Sequence, residues 1–169
     1  LDAVVRSVRQ DHRQPILVEE FIAGDELTVG VIGNEEPRVI GVMRVLPREA
    51  TDRFVYGLEA KRDWRRLVRY ECPARLPAPR LHGVEEAALR AFRALGCRDV
   101  ARVDFRLRDG IPYFLEVNPL PGLNPESSDL VILARLSGWS YGRLIEGILQ
   151  AALDRAEVPA ANPATTAPT

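Results

Sequence analysis

Lysine is nearly absent from this 169-residue sequence: of its 23 basic residues only Lys61 is a lysine, and the others are arginines. Arginine is therefore the default surface cation of this chain. A single lysine against that background indicates a position where a compact ammonium group is required. The alternative is that one surface lysine survived a compositional bias. Lys61 is a candidate functional residue on the first interpretation.

Cysteine and long apolar runs are also scarce. The two isolated cysteines, Cys72 and Cys97, fit a reducing compartment better than a disulfide framework. No apolar run approaches the roughly 20 residues that span a bilayer. The net charge of −1 gives no general attraction to nucleic acid or membranes. We therefore expect a cytoplasmic protein that binds neither. Because the chain starts at Leu1 without Met or a signal-peptide pattern, we also expect it to belong to a longer protein.

Two strands with alternating apolar and polar residues are predicted on either side of Asp109-Gly110. Arg102 and Asp104 share one face of the first strand, and Glu116 and Asn118 share one face of the second. Carboxylate and amide oxygens are hard donors that suit Mg²⁺, and a neighbouring arginine suits phosphate oxygens. The alternative is a half-exposed hairpin whose polar residues face water.

The spacing of this hairpin makes a register prediction. With a strict two-residue turn, Asp104 would pair with Leu115, and Glu116 would face the opposite side of the sheet. A metal site that uses both Asp104 and Glu116 therefore requires one extra residue. A three-residue loop with a left-handed Gly110, or a β-bulge, would supply it.

The remaining pattern predicts an α+β fold, an antiparallel sheet flanked by helices. Residues 49–70 lack a clear period and are predicted to form a long loop of the kind that acts as a lid or binding loop. The other predicted elements are helices over 2–13, 80–95, 129–137 and 141–155, strands over 16–22, 26–33 and 38–46, and a disordered tail over 158–169.

Three further acidic residues accompany the first predicted strands. Glu19 and Glu20 lie in an apolar strand, and Glu26 follows the turn after it. Carboxylates and exposed backbone beside an apolar strand can hold a purine and a ribose. The alternative is edge-strand charge that limits aggregation. Farther along, the Pro/Gly-rich loop 119–126 either presents backbone N–H groups to an oxyanion or forms a simple tight turn.

Four segments in order resemble the ATP-grasp superfamily, and most closely the D-alanine–D-alanine ligases. They are residues 18–29, Glu59-Ala60-Lys61, Cys72-Pro73-Ala74, and 101–104 together with 116–122. The resemblance covers about residues 10–155. It implies that residues 1–157 form the C-terminal part of an ATP-grasp catalytic domain, without the family's N-terminal substrate domain.

The resemblance also implies an ATP-dependent ligase that forms a C–N bond through an acyl phosphate. The implied residues are Glu19, Glu20, Ile22, Glu26 and Lys61 for ATP; Asp104, Glu116 and Asn118 for two Mg²⁺ ions, or Mn²⁺; Arg102 and Gly122 for the charge at the reacting acyl centre; and Ser127 and Ser128 for the second substrate. It further implies amino-acid substrates, a role in peptidoglycan and cell-wall synthesis, and a homodimer formed through regions outside this chain. The chain alone is expected to be inactive.

The sequence departs from the family pattern beside these residues. Arg62 stands where the family often has an aromatic lid residue. Pro119, Leu120 and Ser128 replace the residue types expected around the acceptor site. These departures leave two alternatives open: an ATP-grasp amino-acid or dipeptide ligase with another acceptor, and a non-catalytic nucleotide-binding module.

Overall fold

The computed structural model describes residues 1–49, 51 and 53–156, apart from the side chains of residues 58 and 59. The tail predicted at 158–169 lies outside the described residues. The predicted α+β class is confirmed, because the helices flank one antiparallel sheet. In the described part, no helix has the length and apolarity needed to cross a membrane.

The sheet places two strands from distant parts of the chain side by side. The elements are α1 Asp2–His12, β1 Asp25–Ile32, β2 Arg38–Pro47, α2 Leu58–Arg62, α3 Trp64–Leu67, β3 Val68–Glu71, α4 Ala78–Ala94, β4 Val100–Arg108, β5 Ile111–Asn118, α5 Asp129–Leu136 and α6 Tyr141–Ala156. The strand order is β3-β2-β1-β4-β5. Strands β1 and β4 are therefore neighbours, and the polar residues of both reach the same face.

The strand predicted over residues 16–22 is wrong. The segment is irregular, and the side chains of Leu17, Val18 and Phe21 are 78%, 55% and 42% exposed. A strand requires a neighbour for its backbone hydrogen bonds. Within the described residues no strand pairs with this segment. Its apolar pattern therefore has no sheet to join.

The register prediction for the β4–β5 hairpin is confirmed. Arg108 pairs with Ile111, so the connection is the two-residue turn Asp109-Gly110, and both turn residues have positive φ, 55° and 84°. Such a turn matches the twist of a hairpin. The register then shifts by one residue next to Asp104, which pairs with Glu116. The extra residue is supplied by a bulge in β5, so both carboxylates face the same side.

Apolar residues pack on both faces of the sheet. On one face, α4 buries Val84, Ala88 and Phe92, whose spacing of four residues forms one helical stripe. On the other face, α5 and α6 bury Leu133 and Leu144. Full burial of each large side chain stabilises the fold by about 1.5–3 kcal/mol. The polar residues of β1 and β4 lie on the α5 face, where this core ends.

The turn before β1 yields a stability prediction. Gly24 has φ +136°, and a Cβ added there would lie 2.1 Å from the carbonyl oxygen of Leu107. We expect Gly24→Ala to lower the free energy of unfolding by about 2 kcal/mol or more, measured by thermal or urea denaturation.

Gly83, inside α4, is the matched control, because a Cβ there meets no atom within 4 Å. Gly83→Ala is expected to raise the free energy of unfolding by about 0.5–1 kcal/mol, since alanine is the better helix former. Equal stability of the two variants would contradict the backbone conformation at Gly24.

Candidate functional site

A cleft of about 520 Å³ lies where the segment before β1, the loop after β2 and the β4–β5 hairpin meet. Its lining residues are Glu19, Glu20, Ile22, Glu26, Tyr56, Lys61, Asp104, Tyr113, Phe114, Leu115 and Glu116. Seven of these were selected from the sequence, Glu19, Glu20, Ile22, Glu26, Lys61, Asp104 and Glu116. The structure therefore brings together residues from four separate segments of the chain.

The floor of the cleft is a carboxylate pair with one arginine between its members. Asp104 and Glu116 are direct partners in the sheet. The Arg102 side chain donates to both, at 2.8 Å from Nη2 to Oδ2 of Asp104 and at 3.2 Å from Nη2 to Oε1 of Glu116. Arg102 and Asp104 are mostly buried, whereas the Glu116 side chain is 60% exposed. Glu116 is thus the member of the pair that faces the cleft.

The environment of Asp104 favours a nearby cation. Burial raises the pKa of this carboxyl above its ordinary value, and the Arg102 guanidinium and a hydrogen bond from Thr28 partly oppose that effect. Glu116 adds a second negative charge that raises the pKa of Asp104 further. Two carboxylates that share one guanidinium retain negative charge, which a bound cation would neutralise.

The oxygen donors on β4 and β5 suit a magnesium ion that takes its remaining ligands from a bound phosphate group. Asn118 pairs with Arg102 across the sheet, and its Oδ1 accepts a hydrogen bond of 3.1 Å from the Leu120 backbone. Among residues 1–49, 51 and 53–156, no group of three His, Cys, Asp or Glu side chains is arranged to hold a metal. Proteins usually bind Mg²⁺ through one or two carboxylates plus substrate phosphates. Asp104, Glu116 and the Asn118 amide match that pattern.

A second buried arginine, Arg106, was missed by the sequence analysis. Its Nη2 lies 3.0 Å from Oε2 of Glu26, and its Nη1 donates to the backbone oxygen of Gly24 at 3.0 Å. The guanidinium also lies over the Phe21 ring, 5.3 Å from its centroid. Arg106 continues the alternation of Arg102 and Asp104 along β4, so the period of two was a signal that could have found it.

Glu26 is held from two directions inside the cleft. Its Oε2 accepts a hydrogen bond of 3.1 Å from the Tyr56 backbone, in addition to the contact with Arg106. Burial raises the pKa of Glu26, while the Arg106 guanidinium acts in the opposite direction. The loop after β2 is therefore tied to the start of β1 at a carboxylate that faces the cleft.

Lys61 reaches the cleft through an aromatic contact. Its Nζ lies 5.2 Å from the centroid of the Tyr56 ring, in a cation–π arrangement. Tyr56 and Tyr70 hydrogen-bond each other and Asp129, which lies at the start of α5. These three residues were also missed, because their partners are far apart in sequence. The predicted loop over 49–70 does hold short helical pieces, α2 and α3.

Gly122, Ser127 and Ser128, which were assigned to the acyl centre and the second substrate, do not line the cleft. A Cβ added at Gly122 would approach the Ser128 hydroxyl to 2.8 Å, so the two residues touch. The Ser128 hydroxyl accepts a hydrogen bond of 2.9 Å from the Asn124 backbone. The Ser127 backbone donates to the Asn124 side chain at 3.1 Å. These contacts shape the loop between β5 and α5.

A larger cavity of about 1260 Å³ lies at the other end of the sheet, between the β1–β2 turn and α6. Its most distinctive feature is Trp139, over which Arg38 and Arg143 lie at 5.6 and 4.2 Å from the ring centroid. Arginines and carboxylates are mixed in its lining. None of the residues selected from the sequence lines it. The larger cavity therefore contains none of the selected residues, whereas the smaller, acidic cleft contains seven of them. The smaller cleft is the candidate site.

Comparison with known families identifies the family of this chain. The family model described as D-ala D-ala ligase C-terminus matches residues 1–150. The chain belongs to this family. The matched region contains every residue assigned to the cleft, the carboxylate pair and the loop after β5.

Curated relatives match the chain over about half of their own length. The D-alanine--D-alanine ligase of Desulforudis audaxviator is 40% identical over 140 residues, which are 83% of this chain and 44% of the relative. The D-alanine--D-alanine ligase of Methylibium petroleiphilum is 39% identical over 157 residues, which are 90% of this chain and 47% of the relative. The chain thus corresponds to one part of these ligases.

Solved structures of ligases share the fold. The D-alanine--D-alanine ligase of Bacillus anthracis, solved in complex with ATP, matches 91% of this chain and 47% of its own chain, with a TM-score of 0.69 and 26% identity. The VanG D-Ala:D-Ser ligase of Enterococcus faecalis matches 79% of this chain and 37% of its own, with a TM-score of 0.60 and 26% identity. The antiparallel sheet with its flanking helices is therefore the ATP-grasp fold of these ligases.

The tyrosine pair of this ligase domain yields a pH prediction. Burial, aided by the charge of Asp129, raises the pKa of Tyr70 from 10.0 to about 12. Because the folded protein favours neutral Tyr70, its contribution to stability is complete below pH 10.0 and is lost as the pH rises toward 12. Tyr70→Phe is therefore expected to weaken the fall of unfolding free energy over this range, measured by urea denaturation at each pH. An identical pH dependence in both proteins would contradict the buried placement of the Tyr70 hydroxyl.

Proposed function

We propose that the protein containing this chain is an ATP-dependent D-alanine–D-alanine ligase. The carboxylate of one D-alanine attacks the γ-phosphate of ATP, giving an acyl phosphate and ADP. The amine of a second D-alanine then attacks the acyl carbon, and phosphate leaves. The observation that carries this proposal is that the five residues proposed for the nucleotide line one cleft together with Asp104 and Glu116, in a chain that belongs to the ligase family.

The cleft residues are assigned to the nucleotide by the resemblance to the family, and their chemistry suits these roles. Glu19 accepts from the adenine amino group, Glu20 offers its backbone to the ring edge, and Ile22 packs against the base. Glu26 accepts hydrogen bonds from the ribose hydroxyls, and Arg106 holds its carboxyl group in position at 3.0 Å. Lys61 provides a compact positive charge for the phosphates. The Bacillus anthracis ligase, a structural relative, was solved with ATP, which supports an ATP site in this domain.

The metal assignment follows from the oxygen donors on β4 and β5. Asp104, Glu116 and Asn118 would hold two Mg²⁺ ions, or Mn²⁺, together with the phosphate oxygens. When bound, the ions neutralise the charge that develops on the transferred phosphoryl group. The buried Asp104 keeps its oxygens oriented through Arg102 at 2.8 Å. This geometry agrees with a cation that is shared between protein and substrate.

The charge at the acyl centre is assigned to Arg102 and the Gly122 backbone. An arginine fork and a backbone N–H both stabilise an oxyanion, and neither requires a protein nucleophile. Ser127 and Ser128 are assigned to the carboxylate of the second substrate, since they lie in the loop that adjoins Gly122. Hydroxyl and backbone donors suit a carboxylate at that position.

The whole protein requires more than this chain. We assign residues 1–157 to the C-terminal part of the catalytic domain, with the first substrate bound by regions outside the chain. The full protein is assigned to peptidoglycan synthesis in the cytoplasm, as a homodimer assembled through those other regions. The coverage of curated ligases, 44% in the Desulforudis audaxviator relative, supports this division.

A carboxylate substitution in the full-length protein tests the proposed activity. We expect Glu116→Gln to lower D-alanine-dependent phosphate release about 100-fold or more, because it removes charge that positions the metal. Phosphate release and dipeptide formation are measured together, with ATP and Mg²⁺.

The matched control is Glu146→Gln on α6, where the side chain is exposed and distant from the cleft. It is expected to keep wild-type activity. Unchanged ligation by Glu116→Gln would refute the metal assignment. Nucleotide binding without phosphate release from any amino acid would instead favour a non-catalytic nucleotide-binding module.

A different acceptor is the second candidate function. Arg62 departs from the family pattern at the lid position, and Pro119, Leu120 and Ser128 depart from it around the acceptor site. One structural relative is a D-Ala:D-Ser ligase. Phosphate release is therefore to be measured with D-alanine alone and with D-alanine plus D-serine or other amino acids. Mass spectrometry of the products distinguishes a D-alanine acceptor from a different acceptor. A mixed dipeptide as the main product would keep the mechanism and replace the acceptor.

A further inference from the structure

Asp129 is the most constrained carboxylate that none of the roles above uses. Its side chain is 10% exposed, at the first residue of α5. Its Oδ1 accepts a hydrogen bond of 2.9 Å from the Tyr56 hydroxyl and lies 3.4 Å from that of Tyr70. Its Oδ2 accepts from Nη1 of Arg102 at 3.3 Å. A buried carboxylate with this many donors is held in one orientation.

Helix α5 gives Asp129 a rigid base. The residues that follow it, Leu130, Val131 and Leu133, are at most 2% exposed and belong to the core beneath the sheet. A packed core resists small displacements. The position of the Asp129 carboxylate is therefore set by the core, and the polar side chains that contact it take their positions from it.

Arg102 has three carboxylate partners. Two of them are proposed metal ligands, and the third, Asp129, is not. It contacts Asp104, Glu116 and Asp129 at 2.8, 3.2 and 3.3 Å. A cation held by Asp104 and Glu116 competes with Arg102 for their oxygens and repels its charge. Asp129 is then the carboxylate that keeps Arg102 beside the reacting groups. Without it, the guanidinium has no fixed partner on the α5 side.

Tyr56 links Asp129 to the wall of the cleft that contains Glu26 and Lys61. It is 8% exposed, donates its hydroxyl proton to Asp129, and offers its backbone N–H to Glu26 at 3.1 Å. Its ring lies 5.2 Å from Nζ of Lys61. The loop that carries Lys61 is therefore anchored to α5 through one hydroxyl–carboxylate bond.

We infer that Asp129 is a positioning residue, which orients Arg102 and Tyr56, and through Tyr56 the Lys61 segment, around the reacting phosphate. The inference rests on the proposed ligase activity. It assigns to Asp129 no contact with substrate. Its effect on rate is exerted through the guanidinium of Arg102 and the ring of Tyr56.

Asp129→Asn in the full-length protein is the first test, because asparagine keeps the shape and removes the charge. We expect kcat for phosphate release to fall about 10–100-fold, as for other residues that orient a catalytic group, with the KM for the amino acids within about threefold of wild type. Asp154→Asn, an exposed aspartate on α6, is the matched control and is expected to leave both constants unchanged.

The double variant distinguishes positioning from a general structural effect. If Asp129 acts through Arg102, adding Asp129→Asn to Arg102→Lys lowers kcat by less than about threefold more. A full multiplicative loss in the double variant would overturn the inference. So would a kcat for Asp129→Asn within about twofold of wild type.

Chemical labelling tests the Tyr56 arm without any activity. Lys61 is the only lysine in this chain, so its acetylation by acetic anhydride can be followed by peptide mass spectrometry. Loss of the Tyr56 anchor is expected to raise the initial labelling rate about threefold in Asp129→Asn and not in Asp154→Asn. An unchanged rate overturns the inference. A wild-type protein that releases no phosphate refutes the ligase activity instead, and the labelling result still decides the position of Tyr56.

Discussion

The guanidinium of Arg102 is the interaction on which the site depends. It lies among three carboxylates, two from the β4–β5 hairpin and one from α5. Carboxylates taken out of water require a cation and hydrogen bonds, and removing the partner of a buried charge destabilises a protein by several kcal/mol. One arginine therefore joins the hairpin to the helix. The remaining negative charge suits the proposed metal ion.

Strand β4 serves both the core and the site. Its residues alternate, so that Val103 and Phe105 are buried against α4 while Arg102, Asp104 and Arg106 face α5 and the cleft. Packing on one face holds the charges on the other face in position. Side chains on a rigid central strand are held more precisely than side chains on loops. The fold thus supplies the preorganisation that phosphoryl transfer requires.

The cleft joins segments of very different rigidity. Its floor belongs to the sheet, whereas its walls include the irregular segment around Phe21 and the loop that carries Lys61. Both walls are attached through arginine, tyrosine and carboxylate contacts to the floor. The residues proposed to bind the nucleotide therefore lie around the carboxylate pair. Membership in the family and the chemistry of the cleft both support the proposed activity.

The local sequence pattern and the family resemblance together predicted the β4–β5 hairpin and most of the cleft residues. The alternation around Asp104 and Glu116 predicted a hairpin and required one extra residue, since a strand with period two cannot place both on one face otherwise. The resemblance also selected most of the cleft, including Lys61. These features depend on short stretches of sequence, where spacing and residue type carry the information.

Only the tertiary structure decided the long-range pairs. It located the extra residue in a β5 bulge, joined Glu26 to Arg106, and connected Tyr56 to Asp129. It also left residues 16–22 irregular, although their pattern suits a strand. The physical reason is common to all of these. A hydrogen bond or a strand pairing needs a partner from elsewhere in the chain, and the periodicity of one segment contains no information about which partner lies beside it.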